Sequence, residues 1–565
     1  MENRKLFIYQ VLPRLLGNSS TGNTFNGSIE ENGCGKFNDI TGNLLRKIKE
    51  SGYTHIWYIG VLAHASATDY TAYGIPKEYP EIIKGKAGSP YAVRDYYDVD
   101  PDLAVDIPNR MREFEELIER THAAGLKVLI DNIPNHVARN YQSVNKPDGV
   151  RDFGEDDDRT VAFSAQNNFY YLPGQSLNIQ LSPGKLARFS YEEFPAKVTG
   201  NDCFTSTPTQ YDWYETVKLN YGVDYMGGGI SHFYSIPDTW KKMKDIIMYW
   251  AEKKVDGFRC DMAEMVPLAF WQWMIPQIKA AFPEIIFLAE IYNPSAYRSF
   301  LDNNAFDYLY DKVGLYDVLR DVACGYRPAS DITFTLNNVG DIQHKMLNFM
   351  ENHDEQRIAS DYFLKEGKKG KAAMIVTSCI NTNPVMLYAG QEFGEKGMDE
   401  EGFSGKNGRT TIYDYWSVDT LRRWNNNGAW DAGQLTREEN ELSNFHTRLI
   451  TLCNEEKAIS SGLFYDLMPA NYENPEFDST RLFAFLRSHK KDLLLIVVNF
   501  NHEQEECTVR IPPHAYSFLE IEDTGEGKLT PLLNKDKEDR LFTFELPFRI
   551  KLDAHSGEIY KISFL

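Results

Sequence analysis

Four short segments place carboxylates and histidines just beyond apolar runs, which is where a strand ends and a side chain can turn into a pocket. DGFRCDMAEM, at Asp256–Met265, carries Arg259 and Asp261 two residues apart. On a strand that spacing puts both side chains on one face. A guanidinium beside a carboxylate lowers its pKa and keeps it ionised, as a nucleophile needs. FLAEIYN ends the apolar run Ile285–Leu288 with Glu290. A carboxyl reached from so apolar a strand is partly desolvated, which raises its pKa in the direction a general acid requires. NFMENHD, at Asn348–Asp354, ends in His353 and Asp354, and DNIPNHV, at Asp131–Val137, supplies Asn135 and His136. Taken singly, each has an ordinary structural reading: an ion pair, a helix cap, a hydrogen-bonded histidine. Taken together, in chain order, they describe one pocket. Within it, Asp261 and Glu290 on adjoining strands can reach the separation of about 5–5.5 Å found for the carboxyl pair of a retaining glycosidase.

Such a pocket needs a frame that brings strand ends together. From residue 7 to about 455, β-branched and aromatic runs alternate with amphipathic helical patterns. The runs predict strands at Phe7–Val11, His55–Gly60, Val128–Ile133, Gly257–Met262, Ile285–Ile291, Tyr308–Tyr310, Leu347–Glu351 and Val385–Ala389. Three-four apolar spacing predicts helices at Ile40–Ser51, Asn109–Ala124, Thr239–Lys253, Leu268–Ala281 and Lys371–Ile380. Strand–helix alternation implies parallel strands with crossover helices, and eight units point to an α/β fold of the (β/α)8 TIM-barrel type. Residues 138–237 break the pattern: they are rich in Asn, Gly and Tyr, have no long helical period, and read as a subdomain inserted after the third strand. Residues 461–565 alternate as strands, an antiparallel β-sandwich domain following a barrel made of 1–137 and 238–460.

The 81 acidic and 60 basic side chains leave a net charge of −21. That surface repels phosphate backbones and anionic lipids, so nucleic-acid and membrane partners are disfavoured, whereas a neutral sugar polymer is unaffected. The segment MENRKLFIYQ has no apolar run of the signal-peptide type, and no stretch is long enough to span a bilayer. The 7 cysteines are odd in number and scattered, against a disulfide framework or a thiolate zinc site. Both features predict a cytoplasmic enzyme.

The four segments resemble, in order and spacing, the signature regions of the α-amylase superfamily (glycoside hydrolase family 13). The barrel, the insert and the C-terminal β domain fit the same resemblance over nearly the whole chain. It implies that Asp261 attacks the anomeric carbon, Glu290 serves as acid and then base, and Asp354 binds ring hydroxyls. It also implies that His136, Arg259 and His353 hold the same sugar. YAVRDYYDVDP at Tyr91–Pro101 is similar to a further family segment, making Tyr91 a stacking platform and Asp95 a brace for its loop. The resemblance implies a starch, glycogen or maltodextrin substrate, hydrolysed at α-1,4 bonds or, on the same intermediate, passed to another sugar. Met262 after the nucleophile matches neither the small residue of α-1,4 enzymes nor the valine of α-1,6 enzymes.

Many relatives bind calcium, with the Asn equivalent to Asn135 as one ligand. Here the position four residues after Asp261 is Met265 where the family has histidine, and the motif TVKLN at Thr216–Asn220 ends in Asn220 instead of a carboxylate. Calcium prefers several charged oxygens, so these departures predict that no cofactor is required.

Overall fold

The computed structural model describes residues 5–181, 190–302, 305–398, 402–521, 526–534, 538–543 and 548–564. Eight parallel strands close into a barrel: β1 (Phe7–Val11), β2 (His55–Tyr58), β3 (Lys127–Asn132), β4 (Gly257–Cys260), β5 (Ile286–Ala289), β6 (Tyr308–Tyr310), β7 (Met346–Phe349) and β8 (Val385–Tyr388). Each pairs with its neighbour in sequence, and β8 returns to β1 with Phe7 opposite Val385. Helices cover the outer face, so the strands are buried on both sides, which explains why they read as near-continuous apolar runs. The helix Gly42–Glu50 shows the local logic. Thr41 accepts a hydrogen bond from the Leu44 N–H to start it, and Leu44, Leu45 and Ile48 form its buried stripe.

All eight expected strands are present, but several stop before their apolar run does. β4 was expected to reach Met262 and ends at Cys260, because Met262 adopts a left-handed conformation (φ 43°) that turns the chain out of the sheet. β7 was expected to reach Glu351 and ends at Phe349. Glu351 is instead buried against Arg357 at 2.8 Å and accepts a 2.6 Å bond from the Ile358 N–H. Hydrophobicity marks what is buried, while the ladder ends where backbone groups find other partners.

The insert is fastened where it begins and ends. His136–Ala138 pairs antiparallel with Thr216–Lys218, with His136 opposite Lys218. Between this pair and the helix Asp238–Glu252, the described residues form only short strands and loops. They build a second apolar cluster, including Tyr170, Leu172, Ile179, Tyr191, Val198 and Tyr214.

The C-terminal region is an antiparallel sheet of six strands, in the order Leu463–Asp466, Leu482–His489, Asp492–Asn499, Ser556–Phe564, Glu526–Pro531, Arg540–Thr543. Beside it Glu505–Val509 pairs with Phe548–Leu552. Arg487 ties this sheet to the barrel. Fully buried, it donates to the carbonyls of Ile380, Ala458, Ile459 and Gly462 at 2.9–3.0 Å. A buried guanidinium needs such acceptors to offset its desolvation. The cysteines are free thiols, and no helix among the described residues is long and apolar enough to cross a membrane.

Candidate active site

The mouth of the barrel holds a cleft of about 210 Å³. Asp261 and Glu290 line it from the residues immediately after β4 and β5. Their backbones are held by continuations of the barrel ladder: Asp261 N–H to Asn132 O at 2.8 Å and Glu290 N–H to Cys260 O at 3.1 Å. The carboxylates therefore stand on rigid elements although neither residue is itself in a strand.

Arg259 is the hub. Its Nη1 donates to Asp261 Oδ1 at 2.7 Å and to Asp131 Oδ1 at 3.3 Å, and its Nη2 lies 2.8 Å from Glu290 Oε2. It is 1% exposed, and the rings of Trp57, Tyr91 and Tyr310 surround its guanidinium at 5.3–5.5 Å. Planar guanidinium geometry lets one side chain orient several carboxylates at once. Glu290 is also fixed by the Met262 N–H on Oε2 (2.8 Å) and the Tyr292 hydroxyl on Oε1 (2.5 Å). The left-handed turn at Met262 aims that N–H at the carboxylate. Such a conformation costs a bulky residue about 1–3 kcal/mol and persists where the surrounding structure enforces it.

One electrostatic expectation is reversed. Arg259 was expected to lower the Asp261 pKa and keep the carboxyl ionised. Burial instead pushes the Asp261 carboxyl well above the usual value; Arg259 opposes this, and the neighbouring Glu290, Asp131 and Asp354 add to the rise. Several carboxylates share one guanidinium, and like charges in a desolvated site disfavour full ionisation. Asp354 behaves differently. Its side chain is 41% exposed, and although desolvation acts upward, His353, Arg259 and Arg409 bring it down to about 2.

His353 Nε2 lies 2.9 Å from Asp354 Oδ2 and 2.5 Å from the Tyr91 hydroxyl, with the Gln10 amide nitrogen 3.0 Å from Nδ1. The Tyr91 ring stacks on His353, with centroids 5.3 Å apart and planes 17° apart, and lines the cleft. Asp95 braces the entry to the insert, accepting from Ser143 Oγ at 2.5 Å and the Val144 N–H at 2.7 Å. His136 lines the cleft beside Trp213, ring centroids 5.1 Å apart, and burial lowers its pKa to about 3, so it is neutral at ordinary pH. Gly200 makes this packing possible: a Cβ there would lie 2.3 Å from Thr216 Oγ1 and 2.9 Å from His136 Cβ.

Asn135 lies away from the reacting carboxylates and already serves a cation of the chain. Its Oδ1 accepts from Lys218 Nζ at 2.8 Å, and its Nδ2 donates to Gly200 O at 2.8 Å. Lys218 is 2% exposed and pairs with Asp202 at 2.5 Å. The oxygen of Asn135 that would meet calcium thus meets an ammonium. Asn220, which accepts from the Gly222 N–H at 2.9 Å, adds no charge. This donor set does not fit a divalent cation. The acidic run Glu155–Asp158 is likewise engaged, Asp157 accepting from the Asn168 and Phe169 N–H groups at 2.7 and 3.0 Å.

The structure thus brings together Asp261, Glu290, Asp354, Tyr91, His136, Arg259 and His353, and sets Asn135 one step behind His136. Sequence reasoning passed over Asp131, Trp57, Tyr310 and Gln10, whose signal was their place near the ends of β3, β2, β6 and β1. It also passed over Lys84, Trp213, Glu215, Ile412 and Tyr413, which line the cleft from irregular segments that carry no periodic signal.

The family model described as "Alpha amylase, catalytic domain" matches residues 10–457. The α-amylase MalA of Haloarcula japonica is 24% identical over 441 residues, which cover 77% of this chain and half the length of that relative. α-Amylase 3 of Dictyoglomus thermophilum is 22% identical over 433 residues, 73% of this chain and 74% of the relative. Among solved structures, the noncanonic maltogenic α-amylase AmyB from Thermotoga neapolitana superposes over 100% of both chains with a TM-score of 0.62 at 20% identity. The barrel, its carboxylate-lined mouth and a family match over most of the chain agree: this protein belongs to the α-amylase catalytic-domain family of glycoside hydrolase family 13.

Proposed function

We propose that the chain is a retaining α-glucan hydrolase that cleaves α-1,4-glucosidic bonds of starch, glycogen or maltodextrins through a covalent glycosyl-enzyme intermediate. The observation that carries this reading is the bridging of Asp261 and Glu290 by the two terminal nitrogens of Arg259. Two carboxyl groups spanned by one guanidinium are close enough to act on a single carbon, as retention requires.

In the first step an Asp261 oxygen bonds to the anomeric carbon while the bond from that carbon to the departing sugar oxygen breaks. Glu290 gives that oxygen its proton. The reactive form therefore has the proton on Glu290 and the charge on Asp261, stabilised by Arg259 at 2.7 Å. In the second step Glu290 takes a proton from water, the water oxygen bonds to the anomeric carbon, and Asp261 leaves as a carboxylate. Asp354, held low by His353, stays an anion that accepts sugar hydroxyl protons and favours positive charge developing on the ring. Tyr91 and neutral His136 offer the same sugar a ring face and a polar edge.

Maltotriose tests the reaction class. Hydrolysis yields maltose and glucose with a rise in reducing ends, measured by chromatography and a reducing-sugar assay; longer oligosaccharides without that rise would show transfer to a sugar hydroxyl instead. No metal takes part in these steps. Because Lys218 occupies the oxygen of Asn135, activity after dialysis against EDTA should equal that before, and loss reversed by calcium would refute this. Free thiols throughout the described residues support action in the reducing cytoplasm.

A further inference from the structure

The cleft is walled at one end by parts that the proposed chemistry does not use. Lys84 Nζ lies 2.9 Å from Glu215 Oε1, and both side chains are buried, 10% and 5% exposed. Lys84 also sits over the Tyr214 ring at 5.4 Å. Lys84, Trp213, Glu215, Ile412 and Tyr413 line the same cleft as Asp261 and Glu290.

These residues come from three segments that are locked to one another. Lys84 lies in the loop between β2 and β3, Glu215 at the close of the insert after β3, and Tyr413 in the loop following β8. The Ala87 N–H donates to Tyr413 O at 3.1 Å, and a Cβ on Gly85 (φ 68°) would lie 2.1 Å from that same oxygen. The Tyr214 hydroxyl reaches Ile83 O at 3.4 Å. The segments therefore meet in a seam along this wall of the cleft. In the barrel β8, β1, β2 and β3 are adjacent, whereas Glu290 follows β5 on the other side. The departing sugar lies with its acid at Glu290, so the seam faces the sugar that stays on Asp261.

Taking the hydrolase reading above as its basis, we infer that the Lys84–Glu215 pair is a specificity determinant that recognises the non-reducing end of the glucan. A chain running through the cleft would collide with the seam, so the enzyme acts on chain ends and releases short products. An ammonium has three donors, and Glu215 is the ionic partner Lys84 meets among the described residues, which leaves donors for hydroxyls of the terminal sugar. Glu215 is the positioning residue. Its Oε2 is buried without a hydrogen-bond partner and provides a further acceptor at the wall.

The test compares maltoheptaose with maltoheptaose whose non-reducing glucose is capped by a benzylidene group, using the full-length enzyme and chromatography of the products. The wild type should cleave the capped sugar at least about tenfold less efficiently in kcat/KM, the effect of forfeiting a charge-assisted hydrogen bond. Lys84→Met should lose about tenfold in kcat/KM on free maltoheptaose, chiefly as a raised KM, and discriminate less between the two sugars. Glu215→Gln, which keeps the shape, should shift KM in the same direction by less. Equal efficiency of the wild type on both sugars would overturn the inference without touching the hydrolase reading. So would a Lys84→Met enzyme that keeps the wild-type KM and preference. Cleavage of neither sugar would overturn the hydrolase reading and this inference with it.

Discussion

Replacing Asp261 with asparagine should lower kcat on maltooligosaccharides by on the order of 10⁴-fold or more, with an unchanged circular dichroism spectrum. The amide matches the carboxylate in volume but cannot form the ester that stores the glycosyl group. The fold should tolerate the change because Arg259 keeps Glu290 at 2.8 Å and Asp131 at 3.3 Å, so its buried charge stays paired. The substitution also removes a carboxyl that burial and three acidic neighbours drive upward, so it relieves repulsion in the free enzyme. Stability equal to or slightly above the wild type, together with lost turnover, is the combined signature. Single-turnover kinetics on maltotriose would show it, and turnover within tenfold of the wild type would refute the nucleophile assignment.

Replacing Glu290 with glutamine should slow maltooligosaccharide hydrolysis by about 10²–10⁴-fold, the usual worth of a general acid–base group. The loss should be far smaller for a maltosyl fluoride, because fluoride departs without a proton. The amide oxygen can still accept from the Met262 N–H, and the amide nitrogen can donate to the Tyr292 hydroxyl oxygen, so the variant should keep its shape and lose its proton. Comparing kcat/KM for the two substrate types separates an acid from a carboxylate that only orients Arg259. Equal losses on both would assign Glu290 the orienting role.

The two expectations rest on different kinds of legibility. The pairing of Arg259 with Asp261 was readable from their spacing, because strand geometry puts alternate residues on one face whatever the fold. The burial of Glu290 was readable from the apolar run before it, and the parent strand is where the run predicted. What the spacing did not carry was the balance of charges. Counting Arg259 alone predicts a depressed Asp261; the structure buries the carboxyl and sets Glu290, Asp131 and Asp354 around it, and the sign changes. Electrostatic interactions depend on distances between residues far apart in sequence, which local pattern does not contain.

The same division holds for the fold. Eight strands and their order were determined by the sequence itself, because β-branched apolar runs separated by amphipathic helices have few stable arrangements, and a closed parallel barrel is the one that buries both faces of every strand. The tertiary structure alone decided where the strands stop, since Met262 and Glu351 leave the ladder for partners on other elements. It alone brought Lys218 to Asn135, through the antiparallel pairing of His136 with Lys218 across the length of the insert. It alone drew Lys84, Glu215 and Tyr413 from three loops into one wall. Loops carry no period, and their positions follow from closure of the barrel and packing of the insert. The sequence by itself thus determined which groups could react, and the packed chain decided what charge they bear and how much sugar can reach them.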